Sequence, residues 1–402
     1  MRMGHTSKTV FAVLLIAAGL GVFVQIGKPA LKAFAGAHGT TVAKRFKEVR
    51  DALSERFPGR YAFVSLNGLW RRMIGSRRCN GVIAVGPERY LVKPNRCLSG
   101  MRSKAKRMIA FSDFCKTNAI AFVYVQVPKR IDVGQAILPP GSVDCAQRNA
   151  DNLMAELRKA GVETMDLRRT FAETPEQVLR NFYRTDPHWN NDAAFAAAGL
   201  FAQELVRRCG MPAKMAEMLN RSNWKRHELP LRFLGGYGRR TGPLFAGFDR
   251  IVAYVPTFET AMTLTIPSKG ISCSGTFEET NMRRLGEMLT TGNPYQKDLY
   301  SMLYVGGIYP IVEHENPKAP GDIRVLIIGD SAVRPVEAFL STVVKRLVVV
   351  DPRRCKPGFT LAECVLREKP SIVFQVMNPS SLVVDTFLDK KTGKAVMFEY
   401  GL

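Results

Sequence analysis

The sequence predicts an α/β fold in which a parallel sheet carries helices on both faces. Three observations point to it. Between residues 322 and 378, apolar runs of strand length alternate with helical patterns. An earlier run, "AIAFVYVQVP" at 119–128, is apolar at nearly every position, as a strand covered on both faces must be. The composition is that of a globular chain, with 46% hydrophobic and 23% charged residues and neither repeats nor low-complexity tracts.

Taken in order, the chain opens on Arg2 and Lys8, and "VFAVLLIAAGLGVFVQI" at 10–26 then runs without a charge. A basic flank before an apolar stretch with no polar face predicts a signal-anchor or transmembrane segment over 1–35 rather than a core helix. Ala33-Phe34-Ala35 has the small-x-small form of a cleavage site, but it lies beyond the apolar run with Lys28 and Lys32 between, which favours retention as an anchor. The basic flank stays inside, so the expected placement is single-pass in the cytoplasmic membrane with the bulk of the chain facing the periplasm or outside. Cleavage would make the protein secreted.

Residues 36–60 follow, with Val42, Phe46, Val49 and Leu53 at helical spacing among basic residues, an amphipathic linker helix. One domain is expected over 61–402. "GVIAVG" at 81–86 and 119–128 predict buried strands, "NADNLMAELRKAG" a helix stopped by Gly161, and "VETMDL" the next strand. Residues from about 210 to 320 are rich in glycine, proline and aromatic residues with weak periodicity, and are expected to elaborate that domain. The strong alternation then resumes: "DIRVLIIGDS" strand, "RPVEAFLSTVV" helix, "RLVVVDP" strand, "FTLAECVLREKP" helix, "SIVFQVMN" strand.

The charge is lopsided, with 58 Lys and Arg against 35 Asp and Glu, a net of +23. Such a surface seeks acidic partners: nucleic acid, an anionic membrane or an acidic polymer. Export argues against nucleic acid. The eight cysteines form no Cys-x-x-Cys pair and stand at no zinc-binding spacing to histidine, so no metal or other cofactor is expected. An even count in an oxidising compartment predicts disulfides, of which Cys355 with Cys364 is the one local candidate.

Active sites of parallel sheets collect at the carboxyl ends of strands. "VLIIGDSAVRP" delivers Ser331 to such an end, where it is either a nucleophile or an N-cap. A serine nucleophile needs a base and a carboxylate that orients it. Five histidines exist, and among them His188 stands two residues after an aspartate, in "FYRTDPHWNNDAAFAAAG" at 182–199. There, Asp186 and Asn190 are alternatively mere caps of the following helix.

Together, "FYRTDPHW", "RFLGGYGRRTG", "LYVGGIYPIVEHEN" and "VLIIGDS" with "VVVDPRR" resemble, in this order over about 61–402, the SGNH-hydrolase-like proteins of the DHHW group, relatives of the alginate O-acetyltransferases. The resemblance implies an SGNH-hydrolase-like, flavodoxin-like sheet whose Asp-x-His element precedes the Gly-Asp-Ser element, with Ser331 as nucleophile, His188 as base and Asp186 as its orienting carboxylate. The group's double histidine is Asp-Pro-His here, and Ala332 stands where an aromatic residue often follows the serine. By analogy with the SGNH oxyanion hole, Asn378 or Gln375 is a candidate. Arg184, Arg334 and Tyr237 are candidate substrate contacts, with a structural role as the alternative for each.

The expected activity is O-acetyl transfer to an acidic extracellular or cell-wall polysaccharide through an acyl-serine, with a membrane-embedded acyltransferase as acetyl donor. Two alternatives use the same residues: an esterase or deacetylase with water as acceptor, and a non-catalytic polysaccharide-binding assembly protein.

Overall fold

The computed structural model describes residues 59–98, 101–130, 138–291, 295, 299–383 and 400–401. The expected membrane segment over 1–35 and nearly all of the linker helix lie outside them. Among the described residues, no helix is long and apolar enough to cross a membrane.

Helix α1 (Arg60–Met73) leads into three short strands, β1 (Arg78–Cys79), β2 (Val82–Val85) and β3 (Tyr90–Val92). Helix α2 (Arg102–Thr117), β4 (Ala121–Gln126), α3 (Ala146–Lys159) and β5 (Glu163–Asp166) form the first α/β unit. Gly161 takes φ +74° just past α3, the left-handed stop its position predicts. Helix α4 (Asn191–Cys209) follows, then β6 (Trp224–Phe233), α5 (Gly236–Thr241), β7 (Asp249–Pro256), β8 (Met262–Ile266), β9 (Ile271–Gly275), α6 (Leu299–Leu303) and β10 (Ile311–Glu315). The closing unit is β11 (Gly321–Gly329), α7 (Arg334–Leu340), β12 (Val344–Val350), α8 (Leu361–Glu368), β13 (Ile372–Met377) and α9 (Pro379–Val383).

The main sheet has the order β5-β4-β13-β11-β12-β10-β8-β9. Its first five strands are parallel and its last three antiparallel, so the purely parallel sheet expected from sequence is corrected to a mixed one. The physical reason is the connection: β8 and β9 are joined by a four-residue turn, which can only reverse the chain, and their alternating exposure suits an edge with one wet face. The strand expected at 81–86 forms, but in the small antiparallel sheet β1-β2-β3.

Strand alternation divides the core. Val325, Ile327, Phe374 and Val376 face one layer with Phe195 and Phe201 of α4 and Phe339 of α7. Leu326, Ile328, Val373 and Met377 face the other, with Phe111 of α2, Leu153 of α3 and Val365 of α8.

Cys97 and Cys145 are joined by a disulfide, while the other six cysteines are free. The expected Cys355–Cys364 pair is therefore corrected. Sγ of Cys355 rests 3.6 Å from the Asp351 carbonyl, whereas Cys364 is buried in α8 against the core. Burial pushes the Cys355 thiol up to about 12 and the Cys364 thiol up to about 11.

Candidate active site

Strand β11 ends at Gly329, and Asp330 caps the 3₁₀ turn that follows: its Oδ1 accepts the Ala332 N–H at 2.9 Å. Its Oδ2 accepts the Ser381 hydroxyl at 2.5 Å and the Asn378 N–H at 3.3 Å, which ties the turn to the end of β13. The cap is thus Asp330, and the Ser331 hydroxyl is left for other work. Oγ of Ser331 lies 2.7 Å from Nε2 of His188, across 143 residues of chain.

Residues 182–189 form a loop closed by a β-bridge between Phe182 and Trp189. Within it, Asp186 Oδ1 lies 2.5 Å from Nδ1 of His188 and also accepts the His188 backbone N–H at 3.1 Å. Oδ2 accepts the Gly236 N–H at 2.7 Å. Asp186 is 5% exposed. Burial raises its carboxyl, but the His188 charge and hydrogen bond and the Gly236 N–H outweigh burial and hold it below the usual carboxylate range. Asn190, not Asp186, caps α4: its Oδ1 accepts the Ala193 N–H at 3.0 Å. The two residues of the motif thus divide their contacts, Asn190 capping the helix and Asp186 meeting the imidazole.

Several residues that sequence reasoning passed over hold this loop. Asp249, at the start of β7, accepts the Arg184 N–H at 2.8 Å, the Thr185 N–H at 2.7 Å and the Thr185 hydroxyl at 2.6 Å. Gly235 packs so closely that a Cβ there would stand 2.2 Å from Cβ of Asp186, so only glycine fits. The Tyr300 ring stacks on the His188 imidazole with centroids 4.3 Å apart and planes 8° apart. Nothing local in the sequence signals these partners; the glycine pair in "RFLGGYGRRTG" is the one available hint.

The remaining candidates separate. Arg334 is fully buried; its Nη1 donates to both Glu337 oxygens at 2.8 and 3.0 Å and its Nη2 to the Tyr309 carbonyl, so its expected role as a substrate contact is corrected to a structural one. Gln375 sits in the α2/α3/α8 layer, where its Oε1 accepts the Tyr400 hydroxyl at 2.9 Å; strand alternation turns it away from the face of Phe374 and Val376. Asn378 adjoins the Asp330–Ser331 turn through its backbone, and its Oδ1 accepts the Ser380 N–H at 2.8 Å, capping α9. Arg184 donates to the Phe248 carbonyl at 2.9 Å and braces the loop. Tyr237 lines a crevice with Pro187, Lys129, Arg130 and Ser380. His314 is buried on β10, where burial and Arg334 push it down to about 3, and His227 is exposed on β6; neither joins the site.

A serine hydroxyl hydrogen-bonded to an imidazole whose other nitrogen meets a buried carboxylate is the arrangement that activates serine for attack on an acyl carbon. No group of three or more His, Cys, Asp or Glu side chains among the described residues could hold a metal ion.

The chain is similar to known proteins in part of its sequence and in its fold. Residues 88–230 match the family model of the SGNH hydrolase-like domain of the acetyltransferase AlgX. The matched stretch holds Asp186 and His188 but ends before Ser331. The expected likeness to the SGNH-hydrolase-like group is thereby shown. Among solved structures, PatB1 of Bacillus cereus with a sulfonyl adduct is similar at 18% identity and TM-score 0.61, covering 79% of this chain and 98% of its own. A DHHW family protein from Eubacterium siraeum is similar at 16% identity and TM-score 0.55, covering 76% and 93%. At these identities the likeness shows the fold, an SGNH hydrolase-like α/β architecture. No curated protein matches the chain.

Proposed function

We propose that the protein is an extracytoplasmic, membrane-anchored O-acetyltransferase that modifies an acidic polysaccharide through an acyl-serine. The observation that carries this is the hydrogen-bonded array Ser331–His188–Asp186 at the carboxyl end of β11. The match of residues 88–230 to the AlgX acetyltransferase domain supports acetyl transfer as the reaction.

In the first half-reaction, His188 Nε2 takes the Ser331 hydroxyl proton while Oγ bonds to the acyl carbon of the donor. Collapse of the tetrahedral species breaks the bond to the donor oxygen, which leaves with that proton. In the second, a sugar hydroxyl gives its proton to His188 and attacks the acyl-serine; Oγ departs and is reprotonated. Asp186 stabilises the imidazolium in both halves. The Ser331 N–H is the oxyanion donor expected within the turn, because the Ala332 N–H is already bonded to Asp330. A membrane-embedded acyltransferase is the proposed acetyl source. The net charge of +23 supports a polyanionic acceptor.

The test is a burst experiment with p-nitrophenyl acetate. One equivalent of nitrophenol should be released rapidly, and an acetyl group should be found on Ser331 by mass spectrometry. Added polyuronate should then accept it. Acetyl found on no residue, or on another residue, rejects the acyl-serine; acetyl lost only to water, with polyuronate present, rejects transfer in favour of hydrolysis.

A further inference from the structure

Helix α1 carries an apolar stripe left exposed among the described residues. Leu66, Trp70, Met73 and Ile74 recur at helical spacing and are 52–70% exposed. The opposite side of the helix is fixed: a Cβ at Gly68 would stand 2.2 Å from the Thr241 carbonyl of α5, so this glycine lets the helix lie flat on the body and holds the stripe outward. Arg60, Arg71 and Arg72 flank the stripe, and α1 has no acidic residue. Beside it runs an open groove of about 450 Å³ lined by Arg71, Arg78, Asn80 and Ser142, with exposed Val143 on its far rim. From residue 60 to 98 there is one acid, Glu88, against eight Lys and Arg.

We infer that this face of α1, with the Arg71/Arg78 groove, is a docking surface for the anionic headgroups of a phospholipid membrane. The apolar stripe would enter the boundary between headgroups and acyl chains, with Trp70 at its preferred interfacial depth and the arginines among the phosphates. Three features favour a membrane over other occupants. Like charges oppose a second copy, since two such faces would bring their arginines together. The chain enters α1 from residues 1–58, whose apolar run at 10–26 is already expected to reach the bilayer. The intervening sequence at 41–58 carries Lys44, Arg45, Lys47, Arg50 and Arg56 against Glu48, Asp51 and Glu55, so it too is net positive and a poor charge complement to an arginine-flanked stripe. Because α1 packs on α5, whose Gly236 N–H holds Asp186, docking would set the site one layer from the membrane surface. The inference does not rest on the acyl-transfer reading.

Fluorescence tests it directly, because Trp189 and Trp224 are 2% and 5% exposed and Trp70 is the one tryptophan a lipid can reach. The full-length protein is reconstituted in phosphatidylcholine vesicles with and without phosphatidylglycerol, each with lipids brominated near the top of the acyl chain. A Trp70→Phe variant supplies the background of the buried pair. With phosphatidylglycerol at low salt, most Trp70 emission should be quenched; phosphatidylcholine alone, or the double change Arg71→Glu and Arg72→Glu, should restore it. Trp70 still open to acrylamide in the anionic vesicles would overturn the proposal. So would equal shielding in lipid-free detergent solution, which would mean that another part of the chain or a second copy covers the stripe. Inorganic phosphate producing the same shielding without lipid would reduce the groove to a simple anion site and reject the membrane.

Discussion

The indole N–H of Trp189 donates to the backbone carbonyl of Ala332 at 3.0 Å. The residue after His188 is thus fastened to the residue after Ser331, and the two halves of the site cannot drift apart without breaking a buried hydrogen bond. Replacing Trp189 with Phe removes the N–H donor together with the five-membered ring of the indole. We expect at least a tenfold loss of acetyl transfer and a destabilisation of about 1–3 kcal/mol, since the Ala332 carbonyl is left without its donor. Activity and urea unfolding measured on the same preparation check this; unchanged transfer would mean that the Trp189 tie does not position the site.

Ser331→Ala should abolish transfer while altering stability by less than about 1 kcal/mol, because the cap of this turn is Asp330 rather than Ser331. Thermal unfolding beside the burst experiment separates the two effects. Residual transfer at the normal level would exclude Ser331 as nucleophile.

Tyr300 offers a way to divide ring stacking from hydroxyl chemistry. Its hydroxyl is buried and has no hydrogen-bond partner among the described residues, and its ring lies parallel to the His188 imidazole. Tyr300→Phe should therefore keep activity and stability, whereas Tyr300→Leu should forfeit about 0.5–1.5 kcal/mol of stacking and lower the rate through a looser imidazole. If both variants behaved alike, stacking would not be what orients the base.

Gly235→Ala places a Cβ where Asp186 already stands. Overpacking of this kind costs about 1–3 kcal/mol and should push the carboxylate off Nδ1 of His188. Stability and kcat are expected to fall together, and restoration of both by a compensating Asp186→Gly change is not expected, since that removes the carboxylate itself. A fully active Gly235→Ala protein would show that the loop can yield.

Acid should weaken the fold through Asp186. Its folded carboxyl lies below its unfolded value, so between the two values the unfolded chain binds more protons. The stabilisation is complete above the unfolded value, near pH 4, and is lost as pH falls through the folded one. Urea midpoints of the wild type should consequently drop below about pH 4 more steeply than those of Asp186→Asn. Parallel slopes for the two proteins would remove Asp186 from the acid limb.

Much of the architecture was legible from local pattern. The β11–α7–β12–α8–β13 unit announced itself because strand and helix periods are written in adjacent residues, and Gly161 ended α3 where its lack of a Cβ predicts. Asp186, His188 and Ser331 could be singled out because few residue types can relay a proton, and the chain has few histidines. What tertiary structure decided was proximity and burial. Arg334 looked available beside the nucleophile, yet packing buried it on Glu337; Gln375 looked ready for an oxyanion, yet the pleat turned it into the other layer. Cys97 found Cys145 across 48 residues, although Cys355 had a neighbour in sequence. Asp249, Gly235 and Tyr300 reach the Asp186–His188 loop from positions about 50 to over 100 residues away. The chemical capacity of a side chain is a property of its own atoms and is therefore visible in sequence. Whether that capacity is used depends on which distant segments the hydrophobic core brings against it, and that is settled only when the whole chain packs.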